Sequence, residues 1–276
     1  MQSDAIQGRK LPRGMSHDRH ARILERLATE GSITVSTLTA ELGVSDMTIR
    51  RDLIELERDG RLRRVHGGAV QTEILPAVAM DRVEPAFEAR LRQGRSIKEA
   101  IARVAADIAS RYRTIAIDVG TTTFLMAPHL RELQHAQIFT NSVRVAAALD
   151  GAPAEVYLAG GRIRRDELST FGPSAIAQFE SLWFDVAVLG VSGITSGGLF
   201  DYSFEDAEMK RVYLRRAGLK IALCDSFKFQ RMSLVNIGAL TDINVLITDE
   251  APSGALAAAL AAAHVDVRVA STASAS

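Results

Sequence analysis

Three short stretches of this chain place charged or hydroxyl side chains where they could bind anions. The first is SDMTIRRDL at residues 45–53, which contains the adjacent arginines Arg50 and Arg51. The second is DVGTTT at residues 118–123, and the third is a group of lysines between residues 210 and 228. Guanidinium groups bind guanine edges or phosphates, and the start of a helix binds phosphate through its free amides. These stretches predict one nucleic-acid site and one small-molecule site.

The arginine pair falls on a predicted helix with two different faces. At 100° per residue, Leu53 and Leu56 lie within about 40° of Ile49, so these three can pack on preceding helices. Met47, Arg51 and Arg58 point roughly the opposite way, and Thr48 and Arg50 flank them. A solvated charged face is the alternative interpretation of a lone arginine pair. The helices before it and the basic segment RLRRVHGG after it favour a recognition helix for the DNA major groove.

The chain before this helix predicts two further short helices. HARILERLATEG places apolar residues on one face and stops at Gly31, and VSTLTAELG stops at Gly43. After Gly60, RLRRVHGGAV alternates like a strand and contains a Gly-Gly turn. We expect residues 1–15 to be a disordered tail and residues 16–70 to form a DNA-binding domain.

The chain changes character from about residue 90. Residues 71–88 contain two prolines and no clear period, so we predict a linker there. Near-continuous apolar runs then alternate with helical stretches, which predicts an α/β domain at residues 89–270 with a mostly parallel sheet covered on both faces. The runs are TIAID (114–118), AQIFT (136–140), EVYLA (155–159), DVAVLG (185–190), LKIALCD (219–225), INVLIT (243–248) and VDVRV (265–269).

Composition limits the classes of function. The 276 residues include 33 basic and 33 acidic side chains, so DNA binding must come from local clustering of charge. The single cysteine, Cys224, excludes an internal disulfide and suits the reducing cytoplasm. The N-terminus lacks the apolar core of a signal peptide, and no apolar run is long enough to span a bilayer. The six histidines are scattered without a partner at metal-ligand spacing, so we expect no metal and no cofactor.

Polar or glycine-rich loops follow five of the predicted strands. Ligands in open α/β sheets bind beyond the carboxyl ends of the strands, where such loops converge. The loops begin at Asp118, Thr140, Gly160, Gly190 and Asp225. DVGTTT alone could be an ordinary strand-to-helix turn, but the set of loops favours a small-molecule pocket, with Lys210 and Lys228 as anion partners.

The N-terminal pattern resembles the winged helix-turn-helix of DeoR-family transcriptional regulators. The resemblance covers RILERLATEGSITVSTLTAELGVSDMTIRRDLIELERDGRLRRVHGGAV without an evident gap. It implies a recognition helix at residues 45–58 and a wing at residues 61–68. The residues that we expect to contact DNA are Ser45, Met47, Thr48, Arg50, Arg51, Arg63, Arg64 and His66.

The same resemblance continues through the α/β half, in the motifs FEARL, DVGTTT, TNSVRVAAAL, LAGGRIR, FGPSA, EDAEMKR and CDSFKF. It implies a sensor domain similar to the ribose-5-phosphate isomerase and CoA-transferase group of folds, which in this family binds phosphorylated sugars or polyols. The implied effector residues are Asp118, Gly120, Thr121, Thr122, Thr123, Asn141, Gly161, Ser192, Lys210 and Lys228. Phe227 and Gln230 depart from the family's usual serine and glycine. Val191-Ser192-Gly193-Ile194 looks most like members that respond to glycerol-3-phosphate.

Together with these patterns, the resemblance implies a homo-oligomeric repressor of a carbohydrate or polyol catabolic operon. It would bind double-stranded operator DNA, have no membrane partner, and leave DNA when a phosphorylated sugar or polyol such as glycerol-3-phosphate binds. The alternative is a phosphosugar isomerase-like enzyme with a DNA-binding head. Aldose–ketose isomerisation needs a carboxylate base and a second acid. The loop from Gly190 to Thr195 contains no ionisable side chain, so we expect no catalytic residue and no enzymatic activity.

Overall fold

The computed structural model of the chain describes residues 13–30, 32–58, 61–65, 67–70, 79–80 and 84–271. The chain divides into two compact units, Met1–Ala77 and Val78–Ser276. The first unit contains three helices and a small antiparallel sheet. Its elements are α1 (Arg13–Glu30), β1 (Ser32–Thr34), α2 (Val35–Leu42), α3 (Asp46–Arg58), β2 (Arg63–Val65) and β3 (Gly68–Val70).

The three strands of the first unit pair in the order β1-β3-β2, which makes the predicted basic segment a β-hairpin added to β1. The hairpin turns at Gly67, where φ is 80°. A Cβ atom at Gly68 would lie 2.0 Å from the carbonyl oxygen of Ile33, so only glycine allows β1 to approach β3 this closely. The Gly-Gly pair therefore serves both the turn and the strand pairing.

A compact apolar core holds α1, α2 and α3 together. Ile49 is completely buried, and Leu53 and Leu56 beside it on α3 are also buried, as the helical period predicted. They pack with Ile23 of α1 and Leu38 of α2. The opposite face of α3 is thereby left to solvent.

The second unit contains a central parallel sheet and several short accessory strands. Its elements up to the middle of the sheet are β4 (Ala79–Met80), α4 (Phe87–Arg92), α5 (Arg95–Ala109), β5 (Thr114–Ile117), α6 (Thr121–Met126), β6 (Gln137–Thr140), α7 (Val143–Ala148), β7 (Glu155–Leu158), β8 (Arg162–Arg164), β9 (Ser169–Phe171), α8 (Pro173–Glu180) and β10 (Phe184–Gly190). The remaining elements are β11 (Gly193–Thr195), β12 (Gly198–Asp201), α9 (Phe204–Arg216), β13 (Ala217–Leu223), β14 (Arg231–Met232), β15 (Val235–Gly238), β16 (Val245–Thr248), α10 (Gly254–Ala262) and β17 (Asp266–Val269). Short 3₁₀ helices cover Ala127–Leu130, Ser226–Lys228 and Leu240–Asp242.

Seven parallel strands form the central sheet in the order β17-β16-β13-β10-β5-β6-β7. They are the seven strands that the apolar runs predicted. Alternate residues of β5 face opposite layers: Ile115 and Ile117 pack with α5, whereas Ala116 packs with α8 and α9. Helices thus cover both faces, which confirms the predicted α/β class. Within the described residues, no helix is long and apolar enough to cross a membrane.

Two expected boundaries differ from the structure. Helix α1 begins at Arg13, inside the stretch 1–15 that was expected to be disordered. The expected linker 71–88 includes β4 and the start of α4, because Phe87 is buried and contacts Phe124 with ring centroids 5.7 Å apart. The rest of that linker, residues 71–78 and 81–83, lies outside the described residues.

Candidate functional site

The start of α3 presents the predicted recognition surface. Ser45 caps the helix: its Oγ accepts a hydrogen bond from the Thr48 amide at 3.3 Å and lies 2.9 Å from the Thr48 Oγ1. Met47 is 74% exposed, although methionine side chains are usually buried. Arg50 and Arg51 are exposed, and no carboxylate of the described residues forms an ion pair with either. Two guanidinium groups and an apolar side chain thus project together from one helix face.

The hairpin after α3 supplies the second part of this surface. Arg64 is exposed; its backbone amide donates to Glu57 Oε1 at 2.9 Å, and its Nε lies 3.8 Å from Glu57 Oε2. Glu57 therefore ties the wing to the end of the recognition helix. Arg63 belongs to β2, and its side chain is not described, while His66 lies outside the described residues.

A buried ion pair joins α1 to α3. Arg19 donates to both oxygens of Asp52, from Nε at 2.5 Å and from Nη2 at 2.9 Å, and His20 Nε2 lies 3.1 Å from the same carboxylate. Asp52 is only 3% exposed. His20, Asp52 and Glu55 bring ligand-type atoms within 4.8 Å of one another, a cluster that residue spacing along the chain did not indicate. Because Arg19 binds both Asp52 oxygens, we interpret the cluster as a tie between the two helices.

A cavity of about 170 Å³ with many charged residues in its wall lies beyond the carboxyl ends of β5, β10 and β13, the three central strands of the sheet. Six predicted effector residues line it: Gly120, Thr121, Thr122, Ser192, Lys210 and Lys228. The loops after three adjacent strands therefore converge as expected for an open α/β sheet. The wall also contains Asp225, which begins one of the predicted loops, and charged residues that the sequence analysis did not identify, namely Glu84, Arg90, Lys98, Glu167, Asp201, Asp206 and Arg231.

The other four predicted effector residues do not line the cavity. Thr123 is buried, and its hydroxyl donates to the carbonyl of Gly120 at 3.0 Å. Asn141 accepts from the Tyr213 hydroxyl at 2.8 Å and donates to a backbone carbonyl. A Cβ atom at Gly161 would lie 2.5 Å from a carbonyl oxygen of the paired strand β9, so this glycine serves the β8–β9 hairpin. Asp118, the fourth, is fully buried.

Lys210 is already neutralised by carboxylates. Its Nζ donates to Asp118 Oδ2 and lies 3.4 Å from Asp201 Oδ2. Asp118 Oδ2 also accepts from the Gly190 amide at 3.1 Å. Burial raises the pKa of Asp118 to about 7, while the neighbouring Lys210 ammonium opposes that shift. Lys210 thus balances buried negative charge and is less available to an incoming phosphate than its position in the sequence suggested.

A second lysine cluster has an excess of positive charge. Lys98 on α5 and Lys228 each place Nζ 3.5 Å from Asp225 Oδ2, so two ammonium groups share one carboxylate. Lys228 also donates to the Val191 carbonyl at 2.9 Å. Burial lowers the pKa of Lys98, and Asp225 opposes this effect. The sequence contains one sign of this site: Lys98 falls on the same helical face as the buried Ile101 and therefore cannot project to bulk solvent.

An ion-pair network crosses the cavity wall. Arg90 on α4 donates to Glu167 Oε2 and lies 3.2 Å from Glu84 Oε1. Arg164 donates to Glu84 and, at 2.5 Å, to Asp206 Oδ2. Burial raises the pKa of Glu167 to about 7, with Arg90 acting in the opposite direction. The members come from separate segments of the chain, so no local pattern could have predicted their contact.

Comparison with known protein families finds a match for each of the two units. Models of the DeoR-like helix-turn-helix domain and of the DeoR C terminal sensor domain match residues 19–74 and 94–250. The chain belongs to the DeoR family. DeoR-family regulators are DNA-binding proteins that control transcription, so the winged unit is a DNA-binding domain and the second unit is a sensor domain.

Two relatives in this family span nearly the whole chain. The HTH-type transcriptional repressor CsqR of Escherichia coli strain K12 is 32% identical over 90% of this chain and 94% of its own. The glycerol-3-phosphate regulon repressor of the same strain is 29% identical over 91% of this chain and 98% of its own. The ribose 5-phosphate isomerase A structure from Methanocaldococcus jannaschii is a distant structural neighbour, with a TM-score of 0.35 and 16% identity over 48% of this chain and 53% of that one.

Proposed function

We propose that the protein represses a carbohydrate or polyol catabolic operon and is released from operator DNA by a phosphorylated sugar or polyol. The observation that carries this proposal is the cavity wall on which Lys98 and Lys228 share a single carboxylate. A phosphate dianion there would gain charge-assisted hydrogen bonds from both ammonium groups. Thr121 and Thr122, at the start of α6, add hydroxyl groups to the same wall. Glycerol-3-phosphate is the first compound to test, because one relative is named for it.

The DNA-binding surface supports the other half of the proposal. Arg50 and Arg51 would enter the major groove together with Met47, while the wing arginines Arg63 and Arg64 would contact the backbone. Helix-turn-helix proteins usually read paired half-sites as dimers, so the active form is a homo-oligomer. Binding of Arg64 to phosphate would compete with its contact to Glu57.

Residues that follow the DNA-binding domain in the chain take part in the cavity wall and in the strand pairing beside it. Strand β4 pairs with β14, whose Arg231 lines the cavity, and Glu84 forms ion pairs with Arg90 and Arg164. An anionic effector in the cavity attracts Arg90, which lines it, and thus competes with Glu84 for this arginine. Weakening of these ion pairs is the route by which effector binding reaches the DNA-binding domain.

A combined binding experiment tests this function. Phosphorylated sugars and polyols are screened by thermal shift, since a ligand at 100 times its Kd adds about 2.7 kcal/mol of stability. Compounds that stabilise the protein are then titrated into a complex with operator DNA selected from a random pool. The expected result is DNA release by a phosphorylated compound but not by its dephosphorylated form. Equal release by both forms, or stabilisation by neither, would overturn the proposal.

The isomerase alternative retains one structural argument. The loop from Gly190 to Thr195 has no ionisable side chain, but Glu167 and Asp201 bring carboxylates to the same cavity from other segments. Acid–base groups are therefore present, although the predicted loop does not supply them. We expect no conversion of ribose-5-phosphate or related phosphosugars, assayed by NMR. Turnover that Glu167→Gln abolishes would favour the enzyme instead.

A further inference from the structure

Glu167 occupies an unusual position on the cavity wall. It lies in the tight turn between β8 and β9, is only 3% exposed, and holds Arg90 through Oε2. Its other oxygen, Oε1, is buried and has no hydrogen-bond partner within the described residues. Buried carboxylate oxygens normally accept hydrogen bonds, so this acceptor points to a donor on a ligand.

The turn holds Glu167 in place at a conformational cost. The next residue, Leu168, has φ of 54°, in the left-handed region that leucine rarely adopts. The Leu168 carbonyl accepts from the Val143 amide at 2.9 Å, and the buried Ser169 hydroxyl donates to Asp206 at 2.7 Å. A strained backbone that neighbouring contacts maintain is typical of functional sites.

We propose that Glu167 Oε1 accepts a hydrogen bond from a hydroxyl group of the effector, so that the cavity selects polyhydroxy phosphate esters over alkyl phosphates. This inference rests on the proposed function and specifies what the ligand must carry besides its phosphate. Arg90 already places a positive charge beside Glu167. A neutral hydroxyl group can therefore donate to Oε1 without bringing a second cation close to the guanidinium. Lys98 and Lys228 are left to the phosphate.

Matched pairs of phosphate esters test this selectivity. The pairs are glycerol 3-phosphate with propyl phosphate, ribitol 5-phosphate with pentyl phosphate, and glucitol 6-phosphate with hexyl phosphate. Calorimetric titration of the full chain gives the affinity ratio within each pair. A hydrogen bond to a charged group predicts that the wild type prefers the hydroxylated member of at least one pair by about tenfold to a hundredfold. Glu167→Gln keeps the size of the side chain but loses its charge, and should reduce that ratio by about tenfold.

Asp166→Asn is the matched control, because Asp166 lies in the same turn but is exposed and does not line the cavity. This variant should keep the wild-type ratio. A second readout separates hydrogen bonding from a structural role. Since the pKa of Glu167 is raised to about 7, the wild-type ratio should increase from pH 6 to pH 8 as the acceptor ionises. Glu167→Gln should show no such increase. The charged groups that face this position, Arg90, Glu84 and Asp206, are unchanged in the variant, so the difference reports on Glu167 itself.

The possible outcomes separate the two proposals. If alkyl and hydroxylated phosphates bind equally well, or if Glu167→Gln keeps the wild-type ratio, the role of Glu167 is wrong while phosphate recognition stands. If no compound of any pair binds to the wild type, phosphate recognition itself fails, and the inference about Glu167 fails with it.

Discussion

At the scale of single residues, the two sites use arginine in opposite ways. Arg50 and Arg51 project into solvent without a carboxylate partner in the described part of the chain, so they can bind an external anion without breaking an ion pair. Arg90 and Arg164 are mostly buried and each contacts two carboxylates. Releasing either of them leaves buried negative charge behind, which is costly. The first pair suits direct binding, and the second suits a response to binding.

Replacing Arg50 or Arg51 with alanine should weaken operator binding. Loss of an arginine that contacts a base should weaken operator binding by about 1–3 kcal/mol. Loss of one that contacts a phosphate should reduce the slope of log K against log salt concentration by about one. Fluorescence anisotropy at several salt concentrations measures both quantities. Arg22→Ala is the control, because Arg22 lies on α1 near Glu41, outside the recognition helix. If the double variant Arg50→Ala, Arg51→Ala keeps the wild-type affinity and salt slope, these arginines do not bind DNA.

Glu167 should make stability depend on pH. Its pKa is raised from 4.5 to about 7 in the folded state, so the folded protein binds the proton more tightly than the unfolded chain. The contribution of protonated Glu167 to the free energy of unfolding is therefore complete below pH 4.5. It is lost as the pH rises to 7, at about 1.4 kcal/mol per pH unit. Urea unfolding followed by circular dichroism measures this loss. The free energy of unfolding of Glu167→Gln should rise by about 3 kcal/mol relative to that of the wild type between pH 4.5 and pH 8. A constant difference across that range would contradict the raised pKa.

At the scale of elements, the recognition helix depends on more than its apolar face. Ile49 and Leu53 bury α3 against the other helices, but Asp52 between them accepts hydrogen bonds from Arg19 on α1. This directional contact fixes the rotation of α3 about its own axis. The rotation decides where Arg50 and Arg51 point, so a buried ion pair on one face of α3 sets the direction of the exposed arginines on the other.

Asp52→Ala should destabilise the DNA-binding domain by about 3–5 kcal/mol, because it leaves the largely buried Arg19 guanidinium without this carboxylate. Hydrogen exchange with mass spectrometry on the full chain should show faster exchange across α3 and unchanged exchange in the central sheet. Glu55→Ala, one turn away on a side chain that is 45% exposed, should have little effect. Equal protection of α3 in both variants would show that the ion pair contributes nothing.

At the scale of the whole molecule, the proposed coupling of sensing to DNA binding rests on residues that follow the DNA-binding domain in the chain. Glu84 is the first described residue after the pairing of β4 with β14, and it lines the cavity. Its carboxylate contacts Arg90 and Arg164, which also contact Glu167 and Asp206. If the effector binds Glu167 as proposed, it reaches a carboxylate that shares Arg90 with Glu84.

Glu84→Gln should uncouple effector binding from DNA release. By linkage, an effector that weakens DNA binding by some factor has its own affinity weakened equally by DNA. Titrating effector in the presence and absence of operator gives that factor, which should fall towards one in the variant while both ligands still bind. Glu88→Gln on α4 is the control, because Glu88 is exposed and does not line the cavity. A wild-type coupling factor in Glu84→Gln would exclude this route.

The sequence by itself determined the features that depend on short-range order. The period of Ile49, Leu53 and Leu56 predicted the buried face of α3, and seven apolar runs predicted the seven strands, because burial imposes a regular spacing on neighbouring residues. It also located the loops after β5, β10 and β13. The short accessory strands were missed, since they do not form near-continuous apolar runs: charged residues flank Ile163 in β8, and glycines occur in β11, β12 and β15.

Only the tertiary structure decided which charges meet. Asp118 and Lys210 looked like ligand residues in the sequence, but packing buries them as a pair. Lys98 and Glu167 reach the cavity from segments with no recognisable motif. Electrostatic contacts join residues far apart in the chain, and they depend on distances of a few ångströms that only the packed sheet and helices define. The same side chain can therefore be a ligand donor or a structural counter-ion, and its neighbours in space decide between these roles.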